Sequence, residues 1–187
     1  MIIVTTPMCK KIVEIAGLKE FKVNKHPDKE EGDLAILLSE SKVQMPSIAI
    51  KLNTFSQIKE SILKLTNYFY DNEIIDKKVS ENEILAIFNK YDVLDIDIDS
   101  TTKKSNFSKK VKVYSEFLKD IVNDLGCEIV EDDFEYIIFP DYLKSKVIEL
   151  DCENNFKFIE IPTHSNASKD PIIRANERYS ILLNNLK

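Results

Sequence analysis

The chain has 187 residues, 43% hydrophobic and 31% charged, a composition that can bury a real core in a globular protein. Its net charge of −6, from 32 acidic against 26 basic side chains, argues against a broad nucleic-acid footprint, which needs a positive face. No apolar run approaches a membrane span, and the N-terminus has neither the basic region nor the long apolar segment of a signal peptide, so a cytoplasmic protein with reduced cysteines is expected.

Ile2-Ile3-Val4 is a short β-branched run that predicts a buried strand. Thr6 offers an N-cap hydroxyl, Pro7 suits a first helical turn, and Ile12, Val13, Ile15 and Ala16 give the helix an apolar face that ends at Gly17. Cys9 falls in that helix's first turn beside Lys10 and Lys11. Unpaired N–H groups and the helix dipole there favour a thiolate, so Cys9 is the candidate nucleophile, flanked by Thr6 and Met8. The alternative is a small buried residue, which is how most free cysteines behave.

Glu20–Asn24 alternates as a strand, and Leu34–Leu38 reads as a central strand covered on both faces, ending at Ser39-Glu40. Ser47–Leu52 is the next strand. Asn53-Thr54 then leads into a Thr-x-x-Gln capping box and a helix carrying Ile58, Ile62, Leu63, Leu65 and Phe69. Residues 71–79 are a polar connector, and Ser80–Glu83 is a second capping box opening a helix through about Tyr91. Val93–Asp99 alternates with period two; its three aspartates share one strand face, which suits a hard cation but is read in preference as the solvated face of a half-buried strand.

A helix is predicted from about Ser108 to Leu125, stopped by Gly126, with Lys109, Lys110 and Lys112 opposing its dipole. Cys127, next to Ile129 and Val130, reads as core. Phe134–Phe139, Lys146–Leu150 and Phe156–Ile161 read as strands, the last two as a hairpin across Asn154-Asn155. The loop Pro162–Pro171 is dense in donors and acceptors and precedes a helix with Pro171 at its start. Thr163, His164, Ser165 and Asn166 are candidate contacts to a base or phosphate, and Arg174 and Arg178 could reach anions. Ser39, Glu40, Asn53 and Thr54, at other strand ends, are the remaining candidate ligand contacts.

The three glycines cannot build a phosphate-cradling loop, and the three cysteines and two histidines show no zinc or redox spacing, so no metal is expected. Together these elements predict a single α/β domain over residues 1–187, with a central mixed sheet and helices on both faces.

With Thr5-Thr6-Pro7-Met8-Cys9 and Pro162-Thr163-His164-Ser165-Asn166 both in view, the chain resembles the HcgF family of methanogenic archaea, which builds the iron-guanylylpyridinol cofactor of [Fe]-hydrogenase. That resemblance implies a fold similar to nicotinamide-mononucleotide deamidases, assembled as a homodimer. It also implies that guanylylpyridinol is bound and that Cys9 forms a thioester with its carboxyl group, adenylylated beforehand by an ATP-dependent partner enzyme. Two other functions are compatible with the residues. One is a cysteine-dependent amide hydrolase using His26 or His164 as base, and the other is a binding or scaffold protein in which Cys9 is merely buried.

Overall fold

The structure, a computed structural model, describes residues 1–91, 109–150, 156–163 and 166–186. The chain divides into two compact units, one made of residues 1–93 with 169–173, the other of 94–168 with 174–187. The predicted strand at Val93–Asp99, together with Cys152, His164 and Ser165, lies outside the described residues.

The first unit contains β1 (Ile3–Thr5), α1 (Lys10–Ile15), β2 (Lys22–Val23), β3 (Leu34–Leu38), β4 (Ser47–Ile50), α2 (Phe55–Asp71) and α3 (Glu81–Lys90). Its four strands run in the order β2-β1-β3-β4, every neighbouring pair parallel. The interior strands β1 and β3 are buried almost throughout, as continuous apolar runs between two helical layers must be. Thr5 is the polar exception, and its hydroxyl donates to the Ile36 carbonyl at 2.9 Å. In α2 the predicted face is buried at Ile58, Ile62, Leu65 and Phe69, and Phe55 meets Phe88 of α3 edge-on at 6.0 Å. The α3 capping box is complete, and Lys77 together with Ser80 holds the Glu83 carboxyl down to about 2.

The second unit repeats the plan. It contains β5 (Lys110–Val113), α4 (Glu116–Asp124), β6 (Glu128–Ile129), β7 (Tyr136–Pro140), α5 (Lys144–Leu150), β8 (Lys157–Ile161) and, from Arg174 onward, α6 (Pro171–Asn185), with a 3-10 turn at Asp141–Leu143. The strand order is β6-β5-β7-β8, again parallel throughout. β7 is buried at every position, and Ile137, Phe139 and Val147 form a cluster closed by Tyr114, Phe134, Leu143 and Phe156. Gly17 and Gly126 close α1 and α4 with φ of +101° and +81°, a backbone region that side-chain-bearing residues resist.

Four expectations need correction. The one central mixed sheet is replaced by two sheets, each wholly parallel. The helix predicted from Ser108 is the strand β5 followed by the shorter α4, so Lys110 and Lys112 lie on a strand and oppose no helix dipole. Lys146–Leu150 is helical, part of α5, and there is no hairpin: β8 pairs parallel with β7. The N-cap of α1 is Cys9, three residues later than predicted, and Thr6 contributes its carbonyl to the turn, not its hydroxyl to a cap.

Candidate functional site

Because each sheet is parallel, all its strands end on one side, and in open α/β sheets ligands are taken at that side. The residues that follow β1, β3 and β4 in the first unit, and β5, β7 and β8 in the second, are therefore where a site would be built.

In the first unit most of these groups are committed to the fold. Cys9 is fully buried, at 0% exposure, and caps a helix of six residues. Its N–H donates to the Thr6 carbonyl at 3.0 Å, and its carbonyl receives Ile12 and Val13. A thiol with no exposed surface has no approach for a bulky acyl donor, and a one-and-a-half-turn helix supplies little dipole to activate it. Cys127 is buried as expected, and burial pushes its thiol up to about 11. Met8 is half-buried. The Ser39 hydroxyl donates to its neighbour Glu40 at 2.8 Å, both of them exposed. Thr54 caps α2 by accepting from the Gln57 N–H, and the Gln57 side chain reaches back to the Asn53 N–H at 3.2 Å. Thr6 lines a cavity of about 240 Å³ together with Lys25, His26, Asp28, Ser41 and Lys42.

The second unit is arranged differently. Asp141 follows β7 directly, and its carboxylate accepts from the Tyr142 N–H at 2.9 Å, the Thr163 N–H at 3.1 Å, the Thr163 hydroxyl in a short bond, and the Asn166 amide at 2.8 Å. Burial acts to raise its pKa, yet these donors outweigh burial and hold the carboxyl below its ordinary value. The result ties the segment after β8 onto the end of β7. Behind it, Arg174 and Arg178 of α6 are 3% and 7% exposed. Arg174 Nη1 donates to the Ser168 carbonyl at 3.0 Å, and Arg178 lies over the Phe117 ring at 4.7 Å. Burial first, then the charge of Arg174, push Arg178 down to about 10, with Glu177 and Asp141 opposing from a distance.

Thus Thr163, Asn166 and Arg174 belong to the second unit, while Thr6, Met8, Cys9, Ser39, Glu40, Asn53 and Thr54 belong to the first. Sequence reasoning missed Asp141, which organises the loop. Its one available signal was an acidic residue directly after the most apolar strand of the second half. Among the described residues there is no group of three or more His, Cys, Asp or Glu that could hold a metal, and no helix long and apolar enough to cross a membrane.

Residues 107–187 match the MJ0786 family C-terminal domain. No curated protein matches the chain. Among solved structures, the chain is similar to the metal-dependent lipoprotein YcdH from Bacillus subtilis, at 15% identity and a TM-score of 0.61 over 100% of both chains. It is similar also to the laminin-binding protein Lmb of Streptococcus agalactiae, described as having adhesin and metal-transporting activity, at 9% identity and a TM-score of 0.58 over 100% of this chain and 99% of that one. A third is an ABC transporter substrate-binding protein from Listeria monocytogenes, at 14% identity and a TM-score of 0.55 over 98% of each. At such identities the likeness shows the fold: α/β, with two parallel sheets flanked by helices, as in solute-binding proteins.

These matches overturn the HcgF resemblance. A role in [Fe]-hydrogenase cofactor biosynthesis and thioester chemistry at Cys9 go with it, and the full burial of Cys9 supplies the physical reason. Guanylylpyridinol as ligand, the adenylylating partner and the homodimer rested on the same resemblance and have no other support. Nor do these neighbours support a likeness to nicotinamide-mononucleotide deamidases.

Proposed function

We propose that the protein is a small-solute binding protein that takes its ligand non-covalently at the carboxyl end of the second sheet. The observation that carries this reading is the Asp141 clamp. Four donors converge on one carboxylate, which leaves that group no spare capacity for acid–base work but fixes the rim formed by Thr163 and Asn166. A rim held in advance lowers the ordering cost of binding, which is what a binding protein needs. The solute-binding proteins of similar fold are consistent with such a role, though only by analogy of fold. The metals named for some of them are not carried over, since the described residues offer no ligand set.

The test is a thermal-shift and calorimetric screen of sugars, amino acids, inorganic phosphate, carboxylates and divalent metals against the whole chain. A ligand of this site should bind about tenfold more weakly to Asp141→Asn or Thr163→Val, a loss of about 1.4 kcal/mol. A ligand whose affinity both variants leave unchanged places the site elsewhere, and the cavity beside Thr6 becomes the next candidate.

A further inference from the structure

Two long buried side chains of the second unit carry positive charge. Arg174 and Arg178 stand four residues apart on α6, so they share a face. Helical side chains lean toward the N-terminus of their own helix, and α6 follows the carboxyl end of β8, so both guanidiniums lean toward the strand ends. Arg174 has a partner there in the Ser168 carbonyl. The Arg178 Nε is buried with no hydrogen-bond partner. A buried charge persists at low cost only when something pairs with it. Glu177 and Asp141 favour its charged form through space, but both accept from other donors: Asp141 from its four, and Glu177 from the Ser168 N–H at 3.4 Å. Stacking on Phe117 covers one face of the guanidinium and leaves its edge for a planar acceptor.

Phe117 is the second residue of α4, a nine-residue helix that starts at the carboxyl end of β5. The guanidinium thus packs on a side chain from the first turn of α4, the end of a helix at which anions are favoured. The N-cap of that helix, Ser115, makes no side-chain cap hydrogen bond, so its hydroxyl is not committed to the helix. A buried guanidinium with an unpartnered Nε therefore packs on a helix whose N-cap hydroxyl makes no cap bond, and that helix starts at the carboxyl end of β5.

We propose that this end of the second sheet binds a small oxyanion, phosphoryl or carboxylate, with the Arg178 guanidinium as its principal partner and Ser115 and the α4 N-terminus as further donors. The proposal rests on the solute-binding reading and names its ligand class.

Calorimetric titration with inorganic phosphate and, separately, acetate tests it, and the two arms distinguish a phosphoryl from a carboxylate ligand. Wild type should bind one or both. Arg178→Met should weaken binding about tenfold or more, and Arg178→Lys, which keeps the charge but not the planar fork, should restore only part of it. Ser115→Ala, a small change at a half-buried position, should weaken it about threefold; should Arg178→Met fail to fold, this variant and Arg178→Lys decide. Failure of both anions to bind overturns the proposal, as does unchanged affinity in Ser115→Ala and Arg178→Lys. A neutral sugar or zinc ion bound with wild-type affinity by the arginine variants would overturn the oxyanion while leaving the solute-binding reading intact. No binding of any solute would remove both.

Discussion

The two sheets are built to one plan and put their polar groups to different uses. Each has its first strand flanked by the second and third, with the fourth at the edge, and each first helix stops at a glycine of positive φ. At the strand ends of the first unit, Thr5 bonds the Ile36 carbonyl, Thr54 caps α2, and Cys9 is sealed into the start of α1. At the strand ends of the second, one carboxylate gathers a loop, two arginines are buried behind it, and one of them keeps an unpartnered nitrogen. A shared architecture therefore says little about which half binds. The side-chain ledger at the strand ends discriminates, because polar groups already satisfied by the fold have little to offer a ligand.

The largest effects should come from the matched core positions Ile36 in β3 and Ile138 in β7, both at 0% exposure in the third strand of their sheets. Ile36→Ala and Ile138→Ala should each destabilise by about 2–5 kcal/mol, since each leaves a cavity in a close-packed interior. Urea denaturation followed by peptide-resolved hydrogen exchange reads both quantities. If the units are separate foldons, protection falls chiefly in the half carrying the substitution. Equal loss across both halves would make the chain one cooperative unit.

A middle-sized effect belongs to Asp141, for which the first unit has no counterpart of four donors among its described residues. Asp141→Asn should cost about 1–2 kcal/mol at neutral pH, since the carboxylate holds several donors but is only partly buried and solvent screens part of their effect. Its folded pKa lies below the ordinary value, so the contribution is fully present above the unfolded carboxyl pKa of about 3.9 and disappears as pH falls through the lower folded value. Melting curves of wild type and variant should therefore differ at pH 7 and converge in acid. A constant gap down to the acid limit would mean that the loop is held by packing and not by the carboxylate.

The sequence displayed local chemistry well and non-local pairing poorly. The apolar runs at Leu34–Leu38 and Tyr136–Phe139, the caps at Thr54 and Ser80, and the glycine stops at 17 and 126 were all legible because each is written within a few neighbouring residues. The division into two parallel sheets was not, since β5 pairs with β7 across more than twenty residues and no local signal records it. Lys110-Val111-Lys112-Val113 alternates with period two, yet the helical pattern immediately after it masked the strand. Lys146–Leu150 combines a β-branched pair with charged neighbours, and packing Val147 under β7 decided for helix. At the site, Thr163, Asn166 and Arg174 were visible as a polar loop before a helix. Asp141 gained meaning only when the fold set the ends of β7 and β8 side by side.

The smallest effect tests the comparison most directly, because it sets one committed hydroxyl against one uncommitted one. Thr54 is 4% exposed and accepts from the Gln57 N–H at 3.1 Å, closing the first turn of a helix of 17 residues. Thr54→Ala should lower stability by about 1 kcal/mol, typical for losing an N-cap. Ser115, half-buried, holds the same place at the start of α4 but makes no side-chain cap bond, so Ser115→Ala should change stability by less than about 0.5 kcal/mol because no cap is lost. Chemical denaturation of the two variants beside wild type resolves a difference of that size if m is unchanged. A full capping loss in Ser115→Ala would show that its hydroxyl serves the helix in solution, and the second unit would then have one donor fewer to offer a ligand.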